Sequence, residues 1–126
     1  MTDSLHRLYA SILAARDQDP DFSRTARLLQ QGLPKLAKKL SEEAVEVALE
    51  AVQGEREAVV LESADLIYNL FALWVAMGIT VGEVEAEIDR RERVYGIAEK
   101  LPKRAAVMQK ALLKVPDTAV VRIPER

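Results

Sequence analysis

The sequence predicts an all-α fold, a helical bundle of four to five helices, from three observations. Apolar residues recur at helical spacing along most of the chain. Only 5 Gly and 5 Pro occur in 126 residues, too few for the many tight turns of an all-β fold. The breaks between apolar runs carry helix punctuation, with Pro at a first turn and Gly past a last one. The length suits one domain with its own core. Residues 1–126 are therefore expected to form a single domain, with about 97–126 as a basic C-terminal helix and extended tail.

Taken in order, Asp3 or Ser4 caps a first helix through about Arg16, with Leu5, Leu8, Tyr9, Ile12 and Leu13 on one face. Residues 17–22, containing Pro20, form a loop, and Ser23 caps a short helix through Gln31. A long amphipathic helix from about Pro34 to Gln53 follows. Leu36, Leu40, Ala44, Val47, Ala48 and Ala51 make its apolar side, and Lys35, Lys39, Glu42, Glu43, Glu46 and Glu50 the polar one. The next helix runs from Glu55 to Met77 and stops at Gly78. Thr80 and Glu83 then make a capping box that opens a helix toward Tyr95. A last helix over about 102–115 carries Lys103, Arg104, Lys110 and Lys114, and Val120, Val121 and Ile123 suit a short extended segment.

Composition excludes several functions. A net charge of -2 gives no basic footprint for nucleic acid as the main partner. With no Cys there are no disulfides and no thiolate sites, which accords with a cytoplasmic location. No signal-peptide pattern opens the chain. The apolar stretch Leu66 to Ile79 is interrupted by Asn69 and is short of the ~20 residues that span a bilayer, so a buried helix and no membrane partner are expected.

Two acidic clusters carry the chemistry: Glu42-Glu43-Ala44-Val45-Glu46, and Glu62-Ser63-Ala64-Asp65 inside an otherwise apolar run. At ~100° per residue, Glu62, Asp65 and Asn69 share a narrow arc of one helix. Unpaired carboxylates buried there would cost roughly several kcal/mol per ion. Two packed helices can direct Glu42, Glu43, Glu46, Glu62 and Asp65 into one pocket, a hard-oxygen set suited to Mg²⁺ or Mn²⁺ and, through the ion, to a diphosphate or triphosphate. Taken alone, the first cluster also suits a solvated helix face, and the second the exposed end of a buried helix or pairing with Arg or Lys. His6 is the only histidine, so Glu-x-x-His di-iron ligation and a histidine-bound zinc lack parts. No Ser has a partner His nearby in the sequence, so water is the expected attacker.

The Glu42-Glu43-x-x-Glu46 and Glu62-x-x-Asp65 pattern resembles the E-E-x-x-E…E-x-x-D signature of the all-α nucleoside triphosphate pyrophosphohydrolases, the MazG-like superfamily. Residues 23–29, 38–46 and 62–70 are similar to the phosphoribosyl-ATP pyrophosphohydrolase family of histidine biosynthesis, and the likeness spans about residues 5 to 93. The resemblance implies a homodimeric helical bundle that uses Mg²⁺ to cleave the α,β-phosphoanhydride of phosphoribosyl-ATP. It implies that Glu42, Glu43, Glu46, Glu62 and Asp65 ligate metal or orient water, with Glu43 and Glu46 as candidates for the catalytic carboxylates. Arg27, Lys35, Lys38, Lys39 and Arg91 are candidate phosphate contacts, and Asn69 is a further candidate substrate contact. The chain departs from the family at Arg27 for a common Lys, Ser41 for a common Gly, and Asn69 where His often follows the Tyr. A pyrophosphatase acting on another nucleotide and a non-catalytic helical dimerisation or adaptor module stand as alternatives.

Overall fold

The computed structural model describes residues 2–96, which hold five helices and no strand: α1 Thr2–Ala15, α2 Arg24–Gln30, α3 Leu33–Val52, α4 Arg56–Met77 and α5 Val81–Tyr95. The helix expected over 102–115, with its lysines and arginine, and the extended segment after it lie outside the described residues. The chain divides between Glu83 and Val84 into two compact units. The first contains α1 to α4 and the opening residues of α5.

Local chemistry sets the helix ends. The Ser23 hydroxyl accepts from the Ala26 N–H at 3.1 Å, the expected cap of α2. Gly32, at φ +88°, makes the turn into α3, and Pro34 sits in the first turn of that helix. Gly78 takes the left-handed conformation at the end of α4 and donates to Trp74 and Val75 carbonyls. The capping box is formed: Glu83 N–H donates to Thr80 Oγ1 at 3.1 Å, and Thr80 N–H returns the bond to Glu83 Oε2 at 3.2 Å.

Three residues, Gln53 to Glu55, join α3 to α4, so the two pack as an antiparallel hairpin. α4 is the centre of the first unit: α1, α2 and α3 all pack on it. By length and composition this helix could also cross a membrane, but here it carries the core. Ile12, Leu28, Leu36, Phe71, Ala72 and Val75 are buried together, with Tyr9, Tyr68 and Trp74 packed around them. Each large side chain buried there contributes roughly 1.5–3 kcal/mol. Tyr9 meets Phe71 edge to face at 5.9 Å between ring centroids, and its hydroxyl donates to the Ile79 carbonyl at 2.6 Å.

The apolar side expected for α3 is covered over part of its length only. Leu36 is buried and Leu40 and Val47 are half-buried, but Ala44, Ala48 and Ala51 are exposed, as are Val45, Leu49 and Val52. Val60 and Leu61 of α4 are exposed too. The reason is length and placement. At ~1.5 Å per residue, neither α1 nor α2, of 14 and 7 residues, is by itself as long as α3 or α4, of 20 and 22, and both pack chiefly on α4 rather than on α3. The buried core contains the first turn of α3 and the last turns of α4 and leaves the other end of the hairpin open.

The second unit contains the rest of α5. There Glu87 accepts from Arg90 at 2.7 Å and from Arg91 at 2.9 Å.

Candidate metal and phosphate site

The acids meet midway along the hairpin. One oxygen each from Glu43, on α3, and from Glu62 and Asp65, on α4, lie within 4.8 Å of one another. Antiparallel packing brings the two sequence clusters side by side, and the one-turn spacing of Glu62 and Asp65 puts both on the face toward α3. Burial is graded: Glu43 and Glu62 are half-buried, while Asp65, expected to be sheltered, is exposed. Glu43 Oε1 is itself buried and has no hydrogen-bond partner among the described residues. A carboxylate oxygen so placed lacks a donor or a cation, and an anion left that way is costly.

Glu46 belongs to the same group. The Glu62 carboxyl is pushed up to about 7 from its ordinary 4.5, first by a hydrogen bond shared with Glu46. Desolvation, the Glu46 charge, and then the Glu43 hydrogen bond and charge act in the same direction. Near neutral pH a proton therefore offsets part of the negative charge of these acids. Oxygen donors at this spacing, one with an unmet lone pair, fit a divalent cation.

A cleft of about 400 Å³ opens beside the acids, and Glu43 and Asp65 line it. Its cations are Arg24 and Arg27 from α2 and Lys39 from α3, with Gln31, Tyr68 and Asn69 as neutral polar walls. Among the described residues, no ion pair within 4.0 Å joins these acids to these cations. Asn69 is buried at 4% exposure; its Nδ2 donates to the Asp65 carbonyl at 2.8 Å, while Oδ1 has no donor among the described residues. That carbonyl bond sets which end of the amide is which, so Oδ1 is an open acceptor. The Thr25 and Tyr68 hydroxyls lie 2.7 Å apart and tie α2 to α4 beside the cleft.

Of the residues singled out in the sequence, Arg27, Lys39, Glu43, Asp65 and Asn69 share the cleft, with Glu62 and Glu46 adjoining through the acids. Glu42 stands apart: it faces Lys38 at 4.0 Å, and both side chains are well exposed. Lys35 is exposed and does not line the cleft. Arg91 belongs to the second unit, engaged by Glu87. Arg24, Gln31 and Tyr68 line the cleft without having been singled out. A signal existed for the first two: Arg24, Arg27 and Gln31 are spaced i, i+3, i+7, one stripe of a helix.

A helical hairpin holding unpaired acids and unpaired cations in one cleft has the constitution of a divalent-cation site for a phosphate-bearing ligand. Comparison with known proteins gives the family. The profile of the family described as phosphoribosyl-ATP pyrophosphohydrolase matches residues 5–92. The chain is 62% identical over 103 residues to "Phosphoribosyl-ATP pyrophosphatase 2" of Rhodopseudomonas palustris, covering 82% of this chain and 79% of that one. It is 54% identical over 126 residues to the protein of the same name from Bradyrhizobium diazoefficiens, covering 100% and 89%. A "Phosphoribosyl-ATP pyrophosphatase" of Erythrobacter litoralis is 48% identical over 98 residues, 78% of this chain and 94% of that one. The chain belongs to the phosphoribosyl-ATP pyrophosphohydrolase family.

Proposed function

We propose that this chain hydrolyses the α,β-phosphoanhydride of phosphoribosyl-ATP to phosphoribosyl-AMP and pyrophosphate, with Mg²⁺ as the working ion and Mn²⁺ as a substitute. The observation that carries this reading, in a chain of this family, is the cleft whose acids and cations form no ion pair with one another among the described residues. Glu43, Glu62 and Asp65 would hold the ion. Once bound, it would draw charge from the phosphate oxygens and make an attacking water easier to deprotonate. Glu46, outside the triad but hydrogen-bonded to Glu62, is the carboxylate we assign to take the proton from that water. Lys39, one turn before Glu43 on α3, lies on the acids' own helix and would meet the leaving pyrophosphate. Asn69 Oδ1 would accept from a hydroxyl or amino group of the ligand. Glu42, paired with Lys38 on the outside, is left out of the ligand set.

The test is pyrophosphate release from phosphoribosyl-ATP by purified protein with Mg²⁺, read as phosphate after inorganic pyrophosphatase. Turnover that collapses in Glu62→Gln supports the reading. No turnover, with efficient hydrolysis of a free nucleoside triphosphate, overturns it. We also assign a homodimer acting in the cytoplasm, with the open end of the α3–α4 hairpin as the shared face. Val45, Leu49, Val52, Val60 and Leu61 are exposed there, a large apolar surface for a lone chain. Sedimentation should give a dimer at micromolar concentration, and a monomer for Leu49→Asp; a wild-type monomer rejects the assignment.

A further inference from the structure

We propose that Arg24 and Arg27 hold the phosphate monoester of the phosphoribosyl arm, the anionic end of the substrate that takes no part in cleavage, and thereby select phosphoribosyl-ATP over ATP. The inference rests on the substrate assigned above. Phosphoribosyl-ATP is anionic at two separate places. Its triphosphate calls for a cation among the acids, whereas a monoester dianion needs fixed N–H donors and positive charge. The cleft provides for both on different elements: Glu43 and Asp65 come from the hairpin, the two arginines from α2.

Three observations set the arginines apart from ordinary surface charge. They line the same cleft as Glu43 and Asp65, yet no ion pair forms there among the described residues, so their positive charge is not neutralised by the acids. Arg27 is held in place: one of its terminal N–H groups donates to the Pro20 carbonyl at 2.7 Å, and among the described residues its remaining donors have no hydrogen-bond partner. Thr25, between the two arginines in the first turn of α2, is bound to Tyr68 of α4 at 2.7 Å, so the helix that presents them is fastened to α4 beside the cleft. Arg24 and Arg27 are one turn apart, a spacing at which two guanidinium groups can share one phosphate.

The probe is ribose 5-phosphate, titrated calorimetrically into the full chain in EDTA, so that binding reports on the cleft without metal. We expect millimolar or tighter binding that weakens roughly tenfold or more in Arg24→Ala and is partly restored in Arg24→Lys, which keeps the charge but loses the fork. A melting curve for each variant separates loss of binding from loss of fold. The inhibition constant of pyrophosphate with Mg²⁺ should move less in Arg24→Ala than in Lys39→Ala, and kcat/KM for phosphoribosyl-ATP should fall mainly through KM. Ribose 5-phosphate binding that is absent, or indifferent to Arg24, overturns the proposal, as does a pyrophosphate constant that shifts as much as the ribose 5-phosphate affinity. The two readings fail separately. Binding that depends on Arg24 in a protein unable to cleave phosphoribosyl-ATP keeps the phosphate site and removes the reaction; cleavage without such binding does the reverse.

Discussion

Glu62 on α4 and Glu87 on α5 are the same residue type, each on a helix with charged neighbours within one turn, and they end on opposite sides of the ordinary carboxylate range. Glu87 is held down at about 2 because Arg90, and then Arg91, donate to it. Glu62 is pushed up to about 7 because its near partners are Glu46 and Glu43. One cluster has its cations built in. The other gathers anions and leaves its nearest cations unpaired, a cost that folding alone gives no reason to bear. An acid paired within its own helix turn is architecture, whereas acids converging from two helices are, on the function proposed above, provision for a ligand.

That contrast can be broken by substitution. The largest effect is expected for Glu62→Gln and Asp65→Asn: turnover of phosphoribosyl-ATP falls on the order of 10²–10³-fold or more, while the metal-free melting temperature holds or rises because like charges have been removed. A melting temperature that drops with activity would make these acids structural.

Next in size is the pH dependence. A carboxyl raised from 4.5 to about 7 on folding stabilises the metal-free protein fully below pH 4.5, and this contribution is lost as pH rises through 7. The metal-free melting temperature should therefore fall across that window, and the slope should flatten in Glu62→Gln. Mg²⁺ must displace the same proton, so its apparent affinity should climb by up to roughly tenfold per pH unit as pH rises toward 7 and then level off. An affinity flat from pH 5 to 8 would remove Glu62 from the ligand set.

Glu42→Gln sharpens the comparison from inside the acidic motif. Glu42 faces Lys38 rather than the triad, so it should behave like an architectural acid, with activity changing less than about tenfold and Mg²⁺ affinity nearly unmoved. Loss on the scale of Glu62→Gln would bring it back among the ligands. Smallest of all is Glu87→Gln. Its carboxylate, held low by Arg90 and Arg91, stabilises above pH 4.5 and loses that effect as pH falls toward 2. At neutral pH its exposed pairs should leave both melting temperature and turnover close to wild type.

Much of this was legible from residue spacing. The Thr80 to Glu83 interval announced its capping box, Ser23 its cap, and the pairing of Glu62 with Asp65 a single helix face. Glu42 and Glu43 could not be told apart, because neighbours on a helix are ~100° apart and only the rotation of α3 against α4 decides which one turns inward. Arg24 and Tyr68 were missed for a related reason. α2 has 7 residues, barely two turns, so the stripe of Arg24, Arg27 and Gln31 is a short signal, and Tyr68 lies on α4, where only the docking of α2 brings it to the cleft. The position of α2 over α4 is settled by contacts distant in sequence. The apolar half of α3 misled in the other direction: periodicity reports which side is apolar, not how far along the helix a neighbour extends to cover it.

The Thr25–Tyr68 hydroxyl pair has one more consequence. It spans the gap between the arginine-bearing helix and the acid-bearing one, and it is neutral. Dissolved ions screen attraction between exposed charges separated by more than a Debye length, ~8 Å at physiological strength, yet have little hold on an uncharged strut. Ionic strength can therefore regulate how strongly the mouth draws in a polyanion while its breadth stays constant, so capture and fit answer to different solution conditions.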